Sequence, residues 1–447
     1  MRRTTRVATV AGLSAALFAV GGSGFWRHAK APAPAPASAA GISVSSLQGH
    51  PVIESGTLAD AIGNLQERIR ALPGDWNALA SLGLAYVQQA RVTADPTYYP
   101  KAQAVLERSL ALHADGNFSA MVGLAALAAA RHDFAGALSW GRKAESVNPY
   151  NGGVHDAIGD ALVELGRYQE AFAELQEAVD RRPDLSSYAR ASYAHELQGD
   201  VAGAVGIMEL ALKAASTAQD QAWALNQLGD LSFNSGNLAE AGRHYERSSL
   251  IDPAFVPARA GLAKVEAARA EIPRAIADYQ WVVTRLPSPE YVIALGDLFT
   301  VSGRRTEAAS QYGLLRVEQQ LLKANGVDID LEIALFDADH GVDLTGGLAA
   351  ATAEWARRRS IHVADALAWE LYANGRPAEA LAYSNRALAL GTRNALFFFH
   401  RGMIERALGR IDSARRDLGE ALKIDPNFSI LWSKPAAALL ARLGGPR

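Results

Sequence analysis

The clearest pattern along the chain is a small residue that recurs on an apolar helical stripe. Ala137, Ala171, Ala204, Ala241, Ala275, Ala308, Gly346, Ala380 and Ala414 follow one another at intervals of 33 to 38 residues. Seven residues after each stands a second position of the stripe: Ala144, Ala178, Ala211, Ser248, Val282, Leu315, Ala353, Ala387 and Ala421. Positions seven apart share one helix face, and small side chains there let another helix approach closely. Proline stands twelve residues after five of the small residues, at Pro149, Pro183, Pro253, Pro287 and Pro426. It cannot continue a helix, so it closes the second helix of a unit and opens the next loop. Ahead of the small residue, Ile158-Gly159, Leu228-Gly229 and Leu295-Gly296 fall inside a preceding helical stretch. Glycine there costs about 1 kcal/mol against alanine, so its recurrence predicts close helix packing. Gly166, Gly236, Gly303 and Gly409 fall in short turns, where glycine suits a left-handed helix end.

Each unit therefore reads helix, tight turn, helix, loop. The pattern resembles the tetratricopeptide repeat, a unit of 34 residues with small residues on its second helix and a terminal proline. The strongest match is Ile158-Gly159, Leu162, Ala171, Leu175, Ala178 and Pro183. The resemblance covers about Trp76 to Phe428. It implies an all-α, right-handed superhelical solenoid of about ten stacked antiparallel helix pairs. Extra residues in the first unit predict a long, protruding turn over 91–101. Extra residues at 323–326 precede a degenerate unit with Gly346 at its small position, so the array reads as two parts, 76–322 and 323–428. Residues 58–75 and 429–447 are expected to form cap helices, because an open solenoid end exposes apolar surface.

Composition narrows the function. The chain has 44 basic and 47 acidic residues, a net charge of -3, which gives no electrostatic case for nucleic acid. It has no cysteine, which excludes disulfides, thiolate metal sites and cysteine nucleophiles. Arg2, Arg3 and Arg6 precede an uncharged stretch from Val7 to Trp26. That order matches a signal peptide or an N-terminal membrane anchor over 1–26, with residues 7–26 as a possible tether. The basic flank stays in the cytoplasm, so the rest of the chain is expected outside it, membrane-anchored or secreted. Alternating proline from Ala31 to Ala40 makes 27–57 an Ala/Pro-rich linker that acts as a spacer.

In this family the first helix of each pair lines the concave face. Carrying the family phase over gives Arg190, Tyr193, Trp223, Asn226, Asp230, Phe233, Asp297, His362, Trp369, Tyr372, Phe399 and His400 as groove candidates. Aromatics mixed with carboxylates suit a protein or peptide segment. The expectation is an exported, non-enzymatic interaction scaffold with no cofactor and no small-molecule substrate. Some relatives clamp a C-terminal carboxylate with Lys and Asn on consecutive first helices. Here only Asn226 and Lys264 fit those phases, which argues against such a receptor. One alternative is a metal-dependent or hydrolytic enzyme using Asp337, His340, His362 and Asp365, which requires those groups to converge. Another is a cytoplasmic assembly factor whose first segment is not an export signal.

Overall fold

The computed structural model describes residues 58–445. The expected export segment (1–26) and spacer (27–57) lie outside the described residues. Helix α1 (Leu58–Ala71) precedes ten antiparallel hairpins. These are α2 (Trp76–Thr93) with α3 (Tyr98–Leu112), α4 (Phe118–Ala130) with α5 (Phe134–Val147), and α6 (Gly152–Glu164) with α7 (Tyr168–Arg181). Next come α8 (Leu185–Leu197) with α9 (Val201–Ala214), α10 (Ala218–Asn234) with α11 (Leu238–Ile251), and α12 (Val256–Ala268) with α13 (Ile272–Arg285). Then follow α14 (Pro289–Val301) with α15 (Arg305–Ala324), α16 (Asp330–His340) with α17 (Leu344–Arg357), α18 (Ile361–Ala373) with α19 (Pro377–Ala387), and α20 (Ala395–Ala407) with α21 (Ile411–Ile424). Helix α22 (Ser433–Arg442) closes the array, and no strand occurs among the described residues.

Side-chain caps start many of these helices. Asn117, Asp133, Asn151, Asp200 and Asn237 each accept a backbone N–H from the first turn they precede. The two helices of a pair differ in what they bury. Helix α6 buries twelve of its thirteen residues, whereas α7 buries only Ala171, Leu175 and Ala178. First helices thus form an inner layer, and second helices cover it with their small-residue stripe. The recurrent glycine makes this contact close. The Tyr245 ring lies against both Gly229 and Gly261, on consecutive inner helices, where any Cβ would collide with it.

Three expectations are corrected. The long turn over 91–101 is only a short break between Thr93 and Tyr98, because α2 and α3 absorb the extra residues. In the degenerate unit the buried small residue is Gly347 rather than Gly346, and Glu354 rather than Ala353 is buried after it. The reason is a change of helix lengths: α15 has 20 residues and α16 only 11, so α17 enters one residue out of phase. The final cap is helical only from Ser433.

The array also closes on itself. After roughly six units of 34 residues, the segments between later hairpins come to rest on the turns within earlier ones. The Asp328 N–H donates to the Arg131 carbonyl (3.3 Å) and the Arg359 N–H to the Leu165 carbonyl (3.4 Å). The Ile361 N–H donates to the Tyr168 hydroxyl (2.8 Å), 193 residues away in sequence, and the Thr392 hydroxyl donates to the Leu197 carbonyl, 195 residues away. Arg358 is buried between Glu164, 194 residues away, and Glu354. Gly199 has φ +80°, and a Cβ on it would run into the Gly391 carbonyl; at Gly236 it would lie 2.9 Å from the Ile424 carbonyl. The largest core cluster accordingly mixes Ile158, Leu162 and Tyr193 with Leu335, Trp369 and Phe397. The second superhelical turn is packed on the first.

Candidate functional site

The double turn decides where the groove candidates lie. Ten of the twelve are buried, and Trp223 and Tyr372 are half-buried. They are held by a ladder in which a carboxylate on one inner helix meets a donor on the next. Asp160 accepts from Arg190 Nε (2.9 Å), and Asp230 accepts from Lys264 Nζ (2.9 Å). Asp297 pairs with His340 (3.1 Å), Asp339 accepts from Trp369 Nε1 (2.8 Å), and Asp365 meets His400 Nδ1 (2.9 Å). Second helices add further bonds: the Tyr245 hydroxyl donates to Asp230 (2.8 Å) and the Tyr312 hydroxyl to Asp297 (3.0 Å). Buried polar groups need such partners, and this ladder supplies many of them within the chain. The two residues of carboxylate-clamp type, Asn226 and Lys264, both bond Asp230, so the chain's own carboxylate sits between them.

The aromatic candidates pack across the ladder. Trp369 stacks on His400 at 4.1 Å and on Tyr372 at 4.8 Å, while Phe399 lies against Phe428 and Trp432. Tyr193 and His362 meet across the seam at 3.3 Å. Burial, together with the nearby Arg358 charge, pushes the His362 imidazole down to about 3, so it is neutral there. Trp223 packs beside Phe255, and Phe233 lies under the Lys264 ammonium.

The four residues of the enzyme alternative do not meet. Asp337 pairs with Arg316, His340 with Asp297, His362 with Tyr193, and Asp365 with His400. Among the described residues, Glu145, His155 and Glu174 bring ligand-type atoms within 4.8 Å of one another. That cluster already holds a cation. Arg142 bonds Glu174 (2.6 Å) and Glu145 (2.9 Å). His155 bonds Glu174 through Nδ1 (2.7 Å) and the Pro149 carbonyl through Nε2 (2.9 Å). The hydrogen bond to the Glu174 carboxylate raises the His155 pKa, which favours an imidazolium donating from both nitrogens.

One opening lies at the end of the seam. A cleft of about 420 Å³ runs between the ends of α10, α12 and α14 and the segment 426–437. Phe233, Ile272, Tyr279 and Ile430 line it, with Lys264 and Lys434 among its polar groups. Sequence spacing identified Phe233 and Lys264 only as groove positions. The cleft itself depends on a return of the chain that no local motif encodes.

Residues 157–220 and 366–427 match the tetratricopeptide repeat family model. No curated protein matches the chain. Solved structures similar to it include the APC/C hetero-tetramer Cut9–Hcn1 (17% identity, 86% of this chain and 81% of that chain, TM-score 0.39). A monomeric mutant of IFIT1 with Gppp-AAAA is 15% identical over 74% of this chain and 76% of that one, with a TM-score of 0.45. A thermophilic tetratricopeptide repeat protein of Thermus thermophilus is 20% identical over 42% of this chain and 98% of that one, with a TM-score of 0.38. With its two matched regions and its ten stacked hairpins of the same design, the chain is a tetratricopeptide repeat protein.

Proposed function

We propose that the protein is a non-catalytic interaction scaffold that works outside the cytoplasm and binds an extended segment of a partner protein. The observation that supports this most is the cleft at the end of the seam. The inner faces of the hairpins are engaged with one another, so a partner segment is better accommodated there than along the inner ladder. The cleft continues an interface of known chemistry. The neighbouring turn at Gly236 is covered by the chain's own turn Asp425-Pro426-Asn427-Phe428, whose Phe428 is buried. A partner segment of similar type, with one bulky apolar side chain beside a carboxylate, suits Ile272, Tyr279 and Lys434. The charge order of residues 1–26 supports export or tethering, and the Ala/Pro-rich stretch supports a spacer. Among the described residues no helix is long and apolar enough to cross a membrane. Two measurements test the reading. A photo-crosslinking side chain placed at Ile430 of the full chain is expected to capture a saturable protein partner, and complete absence of one counts against a scaffold. A C-terminal reporter fusion is expected to be active only outside the cytoplasm, and activity confined to the cytoplasm favours the assembly-factor alternative.

A further inference from the structure

Each hairpin has its internal turn at one end and its connection to the next hairpin at the other. The superhelix therefore has a turn edge and a connection edge. Inside the chain these two edges bind each other along the seam. Gly166, Gly199 and Gly236, in turns of the first superhelical turn, meet the backbone of the connection laid over them. Apolar residues in the covering connections are buried: Val327, Ile361 and Phe428 are 6%, 3% and 2% exposed.

The same two surfaces recur uncovered at the outer limits of the array. On the turn edge of the later hairpins, Gly303, Gly375 and Gly409 keep the same left-handed backbone, with φ +73°, +74° and +73°, and no atom lies within 4 Å of where a Cβ would stand. On the connection edge of the earlier hairpins lie Leu112, Val147, Tyr150 and Leu250, which are 47%, 40%, 77% and 79% exposed. The turn edge offers Val301, Val342 and Ile411 at 43%, 41% and 43%. These seven exposed apolar residues thus lie on the two edges that the seam pairs elsewhere in the same molecule, while Leu210 on α9 and Leu314, Val317 and Leu321 on α15 lie away from them. Scattered surface apolar residues need no explanation, but apolar residues gathered on matching edges mark an interaction surface.

We propose that a second copy of this chain lays its connection edge on the turn edge of the first, continuing the superhelix head to tail by the contact already seen within one chain. The contact is heterologous, since each copy presents a different edge, so association is open-ended rather than limited to a pair. It is independent of the cleft, and its failure leaves the scaffold reading standing.

Sedimentation velocity of the full chain over a hundredfold concentration range tests it. The expected result is a sedimentation coefficient that keeps rising with concentration past that of a dimer. Ile411→Glu blocks the turn edge and Tyr150→Asp blocks the connection edge; Val342→Glu and Leu250→Asp serve if either first choice lowers the melting temperature. Each variant alone is expected to stay monomeric. An equimolar mixture of one turn-edge and one connection-edge variant still has one intact edge of each kind, and is expected to form a dimer and stop there. A wild type that remains monomeric overturns the proposal. So does association that the edge variants leave unchanged, as contacts through residues 1–57 give, and so does a mixture that forms no dimer.

Discussion

At the residue scale, the interior is controlled by what burial does to individual charges. Glu370 is buried, and burial first, then the neighbouring Asp337 and Asp339, push its carboxyl up to about 9. It is a neutral acid in the folded protein, while in the unfolded chain it ionises near 4.5. Between those two values the unfolded chain holds fewer protons, so this group's contribution to stability falls as pH rises. Glu370→Gln keeps an oxygen for the Asn374 amide (3.2 Å) and removes the titration. The variant is expected to melt a few degrees above the wild type at pH 8 and level with it at pH 4.5; thermal denaturation at both values checks this. An equal difference at the two pH values contradicts the assigned protonation. The ladder gives a second expectation. Asp230→Ala leaves Lys264, Asn226 and Tyr245 without their common acceptor. Losing one partner of a buried ion pair costs about 3–5 kcal/mol, which should appear as a lower urea midpoint, while Lys434→Ala at the rim should leave that midpoint unchanged.

At the element scale, the turn glycines separate backbone strain from seam contact. Gly199 and Gly375 have φ of +80° and +74°, a conformation that costs a residue with a Cβ about 1–2 kcal/mol. Only Gly199 also faces a carbonyl of the other superhelical turn. Gly199→Ala is therefore expected to lose clearly more stability than Gly375→Ala in parallel urea titrations, and equal losses mean the seam tolerates displacement there. The hairpins were legible in the sequence because their determinants are local: Ala171 and Ala178 on one face, Gly159 opposite Leu175, Pro183 at the end. The phase of the unit at Gly347 was not, since it depends on how 20-residue α15 hands over to 11-residue α16. The family phase located the inner face well enough to pick Arg190, Asp230, Trp369 and His400. What it could not give was their partners. The reach from Asp160 to Arg190 spans two hairpins, and that from Tyr193 to His362 spans the seam. The enzyme residues failed for the same reason: near in sequence, they are drawn to four different partners.

At the scale of the whole molecule, one buried arginine tests the closure. Arg358 is 3% exposed in its side chain and neutralises Glu164 and Glu354, which are 1% and 3% exposed. Arg358→Ala leaves Glu164 buried without a cation and Glu354 with Arg357 as its remaining partner, and losing one partner of a buried ion pair costs about 3–5 kcal/mol. If the seam is what compacts the array, the variant should also show a larger radius of gyration by X-ray scattering while retaining its helical circular dichroism. A destabilised variant of unchanged dimensions means that the inner ladder alone sets the curvature.

The seam also bears on how the chain is made. Three of its contacts join residues 193 to 195 apart. Hairpins contact mainly their neighbours and can form in order as the chain emerges, but the first superhelical turn stays uncovered until its distant cover is synthesised. At the usual 5–20 residues per second that wait is about 10–40 s. Throughout it, Leu162, Tyr168 and Leu197 are held by one turn only, with backbone carbonyls and apolar surface available to any extended segment nearby. Synthesis on neighbouring ribosomes would bring such segments from sister chains. A holding chaperone, or the slow delivery of the chain across a membrane, would then determine how much of the product closes on itself rather than on its neighbour.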